Sequence, residues 1–565
     1  MIRAAVGLSP VLMFLLSSGL TARAETPDTV AVAIIEELAR ARAAPRDPSA
    51  APLYWLGLRV TEDLRRSLIV TDGVVMEPPA RVSRFAKVEA RVGSPAIDNT
   101  HTLREHYDWS FPSPVSVPIE DELWPLRVAF WDALEKGVRG ALEEYQKVVA
   151  NRSVRVAETD GSPDFSSDPP HVALFPRRPL PDLSARYREA MLEASARLDD
   201  PAIYTGVVGL SGDAVTRWVY DMAGGQVRQT WHAHRAWVTA TAIASDGMRV
   251  SLYRWIDASV PERLPEPNEL VAWASALRDD VLALRTAPLA EPYSGPVLLR
   301  GRAAAVFMHE VIGHRAEGHR QKDEAEGATF RDAVGRIVTT TALTLVDDPG
   351  LSRYGDHDLA GHYAYDDEGQ PARRTVIIED GVFRGFMMGR SPIAGFPMSN
   401  GHGRADAYER PVARMANTIV ETRTPTPLRE LRERLISEAR AQGLPHALMV
   451  DEIDGGFTLT GRTFPNSFNV TATTAWHVYV DGRPDELVRG VDLIGTPIQA
   501  LRAITHVGDD PEIFSGWCGA ESGAVPVASV SPSLLIQRLE LQRKDKEQAR
   551  PPLLSRPEDA DGGQQ

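Results

Sequence analysis

The segment HEVIGHRAEGHR, residues 309–320, sets three histidines at intervals of five, His309, His314 and His319, with Glu310 directly after the first. Imidazole nitrogen is the commonest metal ligand that proteins offer. In the zincin pattern H-E-x-x-H the two histidines stand four apart and share one helix face. Five residues of regular α-helix instead turn His309 and His314 about 140° apart, too far to share one ion. A π-type turn, with i to i+5 hydrogen bonds, would bring them back together. Gly313 precedes the second histidine, where it weakens a helix and permits distortion. The spacing therefore predicts a widened turn or a helix break between Glu310 and Glu317 if the pair is a metal site. The apolar run AAAVFM just before His309 buries the helix at that point. A buried His-Glu pair needs partners, and a metal would supply them.

A catalytic zinc takes three protein ligands and keeps one position open. Two residues are candidates for the third ligand. His319 would complete H-E-x₃-H-x₄-H, a lengthened echo of the metzincin pattern. Cys518, in FSGWCGAESGAVPV, would come from far along the chain, with glycines on both sides that allow close backbone approach. It is the only cysteine, so it forms no internal disulfide. A second histidine pair, His232 and His234 in HAH, lies on one face of an expected strand, and a polar strand face is favoured there over a second metal site.

The elements that would carry these residues read as α+β. A helix with Asp28 as cap opens residues 25–110, followed by alternating strand patterns that predict an N-terminal α/β domain. Residues 111–290 read as a middle domain. It has a Pro-rich connector at 111–125, a helix at 126–150, strands over 203–256 and a helix ending near 284. Residues 291–544 read as a strand-rich C-terminal domain with hairpins, such as TVIIEDGVFRGFMM with its Asp-Gly turn, and a helix in TPLRELRERLISEARAQG capped by Thr426. Residues 545–565 have the composition of a disordered tail.

The chain has 565 residues and a formal net charge of -15, with no Lys/Arg-rich block. That argues against nucleic acid or an anionic membrane surface as the main partner. The first 24 residues read as a signal peptide ending in the A-x-A site ARA, with an apolar stretch short for a span of ~20 residues. The expectation is an exported protein, periplasmic or secreted, with no membrane span after cleavage.

The ordered motifs HEVIGHRAEG, LTLVDDPG, YDDEGQPARRTVIIEDGVFRGFMMGR, RMANT, VRGVDLIGTPIQALRAITHVGDD and GWCGAESGAVPVASVSPSLLI resemble the TldD/PmbA family of metallopeptidases over about residues 290–540. The resemblance implies Zn²⁺ held by His309, His314 and Cys518, with Glu310 as the catalytic glutamate. It also makes His319 a neighbour rather than a ligand. The metal motif places the chain with the TldD-like catalytic branch. The family's substrates imply small or unfolded peptides, and its assemblies imply a homodimer or a heterodimer with a PmbA-like relative. The Gly-rich loop SNGHGRADAY is placed near the substrate, with Arg404 as a contact. The competing function is an exported binding or assembly protein whose metal site is structural, closed by a fourth protein ligand such as His319.

Overall fold

The computed structural model describes residues 28–44, 50–102, 114–152, 160–322, 326, 329–461 and 467–544. The expected leader, residues 1–24, and the expected tail, 545–565, lie outside them. The fold is α+β. Among the described residues no helix is long and apolar enough to cross a membrane.

The N-terminal half is built on one antiparallel layer. Its principal strands are β1 (Leu53–Thr71), β2 (Arg81–Ser94), β3 (Ile203–Asp221), β4 (Gln226–Ile243) and β5 (Arg249–Ala258), in the order β2-β1-β3-β4-β5. The boundary expected near residue 110 falls inside this layer, because β1 pairs along its length with β3. Side chains alternate between faces with period two. Even-numbered positions such as Leu58, Val60, Val208, Trp218 and Val238 face the helices. These are α1 (Thr29–Ala43), α2 (Leu123–Arg152), α3 (Ser184–Arg197) and α4 (Pro267–Thr286). Asp28 does cap α1, its Oδ1 accepting from the Ala31 amide at 3.1 Å. Odd-numbered positions face the C-terminal half. Arg59 and Arg217 meet Asp367, and Gln229 donates to the Tyr365 carbonyl at 2.6 Å.

The C-terminal half has two sheets. Strands β6 (Tyr293–Leu299), β7 (His446–Thr458), β8 (Phe468–Tyr479), β9 (Val491–Gly495) and β12 (Leu534–Arg543) close into a ring, because β6 pairs with both β7 and β12. The second sheet ends in the hairpin of β10 (Glu512–Ala520) and β11 (Gly523–Ser531), with β10 at the edge. The short helix α5 (Gly301–Met308) packs against β7 of the ring and against β10 and β11. All its residues except Arg302 are buried, so its end is held firmly between the two sheets. The helix expected in TPLRELRERLISEARAQG spans Leu428–Ala441, but Pro427 rather than Thr426 occupies the cap position, without a side-chain bond. The stop at Gly443 has the left-handed φ of 69° that glycine tolerates.

Candidate metal centre

Past Met308 the α-helix widens. His309–Gly313 form one π-helical turn, His314–Ala316 a 3₁₀ turn, and Glu317 is already extended at φ -74°, ψ 111°. This is the departure that the five-residue spacing requires. The glycine has a different reason from the one expected. Gly313 is ordinarily helical at φ -53°, ψ -59°. A Cβ there would lie 2.0 Å from Sδ of Met415, so the missing side chain makes room for packing.

The widened turn brings both imidazoles to one point, and β10 brings the thiol. Nε2 of His309 lies 3.2 Å and Nε2 of His314 3.3 Å from Sγ of Cys518. The three ligand atoms all lie within 4.8 Å of one another. Tetrahedral bonds of ~2.0–2.3 Å set ligand atoms roughly 3.5 Å apart, so the donor set fits a zinc-sized ion. All three residues are buried.

Glu317 orients this set, and sequence reasoning missed it. It is fully buried, and its carboxylate accepts from Nδ1 of His314 at 3.2 Å and from Nε of Arg320 at 2.8 Å. Arg414 approaches its other oxygen at 3.3 Å. Burial opposes the Glu317 charge, but His314, Arg320 and Arg414 outweigh it and hold the carboxyl at about 2. A carboxylate can only accept, so Nδ1 of His314 keeps its proton, and Nε2, which faces Cys518, is the nitrogen that would give up its proton to bind a metal. The i, i+3 spacing from His314 to Glu317 was the one sequence signal of this contact.

Arg414 also fixes the cysteine, donating to the Cys518 carbonyl at 2.7 Å and to Ser522 Oγ at 2.8 Å. Burial alone would raise the Cys518 thiol, but the two imidazoles lower it well below its ordinary value. Burial likewise opposes charge on His314, and the Cys518 thiolate with Glu317 raises it to about 10. The site thus favours thiolate, the form that binds metal.

Glu310 is buried and lines the same cleft, outside the three-atom cluster. The cleft, of about 310 Å³, runs between Gly456–Thr458 and Thr460 on one wall and Trp517–Glu521 on the other. His319 is not in the cluster. Its Nε2 pairs with Glu521, which also accepts from Arg320 at 2.8 Å. Arg404, expected as a substrate contact, is placed elsewhere. Its buried guanidinium donates to the carbonyls of Met415 and Pro526 and stacks on Tyr363, beside a separate small cavity against β3 and β4. His232 bonds the Arg178 carbonyl at 3.2 Å, while His234 is buried with neither ring nitrogen bonded among the described residues.

Residues 292–543 match the PmbA/TldA metallopeptidase C-terminal domain. A metalloprotease of Archaeoglobus fulgidus is 29% identical over 245 residues, 42% of this chain and 51% of the relative. A zinc metalloprotease TldD homolog of Saccharolobus solfataricus is 27% identical over 249 residues, 44% of this chain and 51% of the relative. The chain thus spans about half the length of these curated relatives. The crystal structure of TldE from Thermococcus kodakarensis shares the fold, with a TM-score of 0.58 at 14% identity over 90% of this chain and 99% of that one. The match of 292–543 and these relatives agree: the C-terminal half of the chain is similar to the PmbA/TldD metallopeptidase family.

Proposed function

We propose that the protein is a zinc-dependent peptidase acting on small or unfolded peptides. The observation that carries this reading is the convergence of two imidazole nitrogens and one thiolate beside a glutamate that lines the same cleft. Held by His309, His314 and Cys518, zinc would supply Lewis acidity for attack on a peptide carbonyl. Glu317 keeps His314 in the tautomer that binds. Glu310 takes a proton from the attacking water and passes it to the leaving amine. The cleft walls supply strand backbone against which an extended peptide can lie.

The zinc metalloprotease TldD homolog among the relatives supports the choice of metal, and the reading includes pairing with a second copy or a PmbA-like relative. The reading includes export, on the leader-like residues 1–24. The alternative, a structural site in an assembly protein, calls for four protein ligands. Among the described residues the cluster has three, and the expected fourth, His319, is engaged with Glu521. Two variants test the proposal together. Glu310→Gln is expected to retain zinc and lose at least ~10²-fold in peptide hydrolysis. Cys518→Ala is expected to lose both. Near-normal turnover of Glu310→Gln would remove the glutamate from the mechanism, and zinc loss from it would make the residue structural.

A further inference from the structure

Two aromatic residues of the N-terminal sheet reach into the C-terminal half at one end of the cleft. Tyr253 and Trp255 stand two apart on β5, so they share a face, and their rings lie 4.7 Å apart. The Tyr253 hydroxyl donates to the Asp454 carbonyl at 3.0 Å. The Trp255 indole N–H donates to the Ser515 carbonyl at 3.0 Å. Asp454 lies on β7 and Ser515 on β10, each two residues before its strand begins to line the cleft. The pair therefore straps the two walls together.

The strap takes backbone acceptors that a bound peptide would otherwise use. In the β10–β11 hairpin Ala520 faces Gly523 across a two-residue turn, so even-numbered residues of β10 bond inward. Odd-numbered residues, Ser515, Trp517 and Gly519, then point N–H and C=O to the free edge. Trp255 occupies Ser515, which leaves Trp517 and Gly519, on either side of Cys518, for pairing. On the facing wall the register of β7 and β8 slips between Ile453 and Gly455, a bulge that frees the Asp454 carbonyl for Tyr253. The cleft lining begins at Gly456 and Trp517, next to the strap. At the other end Arg320 reaches Glu521 and Thr460 by side chains alone and takes no edge carbonyl.

We infer that Tyr253 and Trp255 form a length stop, which leaves room for about two substrate residues, roughly 7 Å of extended chain, between Cys518 and the strap. The inference rests on the peptidase reading of this cleft. It makes the enzyme release single residues and dipeptides from one end of a peptide rather than cut it internally. Tyr253 and Trp255 are positioning residues: they set where a peptide is cut, without touching the reacting atoms.

The test uses the zinc-loaded full chain and unstructured synthetic peptides of about a dozen residues, with early products sized by mass spectrometry. The wild type is expected to release one or two residues from a single terminus. Tyr253→Ala/Trp255→Ala is expected to shift the first cut inward, and Trp255→Phe, which keeps a ring but frees the Ser515 carbonyl, to shift it less far. In parallel, peptides lengthened one residue at a time are bound to Glu310→Gln and followed by anisotropy. Their affinity is expected to stop rising after about two added residues on one side only. First cuts in the peptide interior by the wild type would overturn the stop and leave the peptidase reading standing. A one-sided plateau in binding without hydrolysis by the wild type would keep the stop and sink the peptidase reading. Absence of any peptide binding, or a plateau on neither side, would overturn the stop, and should the double variant not fold, the wild-type cuts and the plateau still decide.

Discussion

Replacing Glu317 with glutamine tests whether the carboxylate behind His314 builds the site. The amide keeps the shape and one acceptor but removes the charge shared by His314, Arg320 and Arg414. Glu317 is held at about 2 against an ordinary 4.5. At ~1.4 kcal/mol per tenfold, that lowering favours the charged form by roughly 3.5 kcal/mol, net of the cost of burial. Breaking a buried ion pair from one side costs about 3–5 kcal/mol, which agrees at its lower end. Arg320 retains Glu326 and Glu521, and Arg414 retains the carbonyls of Cys518 and Gly523, which argues for that lower end. Loss of an orienting group behind a metal ligand also weakens metal binding about 10–100-fold. Glu317→Gln is therefore expected to lower zinc affinity by that factor in a competition titration with a chromophoric chelator. It should also lower the unfolding midpoint of the metal-free protein. Zinc affinity within about threefold of wild type together with an unchanged midpoint would refute the role assigned to Glu317.

Gly313→Ala places a Cβ against Met415 inside the site's packing; overpacking of ~1–3 kcal/mol is expected, relieved in Gly313→Ala/Met415→Ala and read from thermal melts. His234 supplies a pH dependence. Burial, and to a lesser degree His232, lower it from 6.5 to about 4. The unfolded chain then binds this proton first, so His234 contributes its full stability above pH ~6.5 and loses it as pH falls towards ~4, by up to roughly 3 kcal/mol. His234→Leu should flatten the melting temperature against pH across that window relative to wild type, and parallel curves would rule the effect out.

The convergence of the two histidines was legible in the sequence because helix geometry is strict. Two histidines five apart either diverge or share a widened turn, and His309–Gly313 is that turn. Cys518 was visible as a solitary thiol, but only folding β10 against α5 puts it within 3.3 Å of both imidazoles. Glu317 and Arg414 were not legible as partners. The i, i+3 spacing from His314 is the one local signal of Glu317 and does not mark it out from other charged residues, and the contact with Arg414 forms only in the packed site. The single N-terminal layer was hidden for a similar reason. Strand patterns give β1 and β3 separately, whereas their pairing across more than a hundred residues is decided by the shared apolar face. Arg404 shows the opposite error: a Gly-rich loop and a cation suggested a substrate contact, and the side chain instead holds two carbonyls in the interior.

X-ray absorption at the zinc edge on the purified, metal-loaded chain tests the central claim most directly. The account predicts about one zinc per chain with two nitrogen neighbours at ~2.0–2.1 Å and one sulfur at ~2.3 Å from the protein, the sulfur shell disappearing in Cys518→Ala. A zinc spectrum without sulfur, or one unchanged when Cys518 is removed, would contradict it.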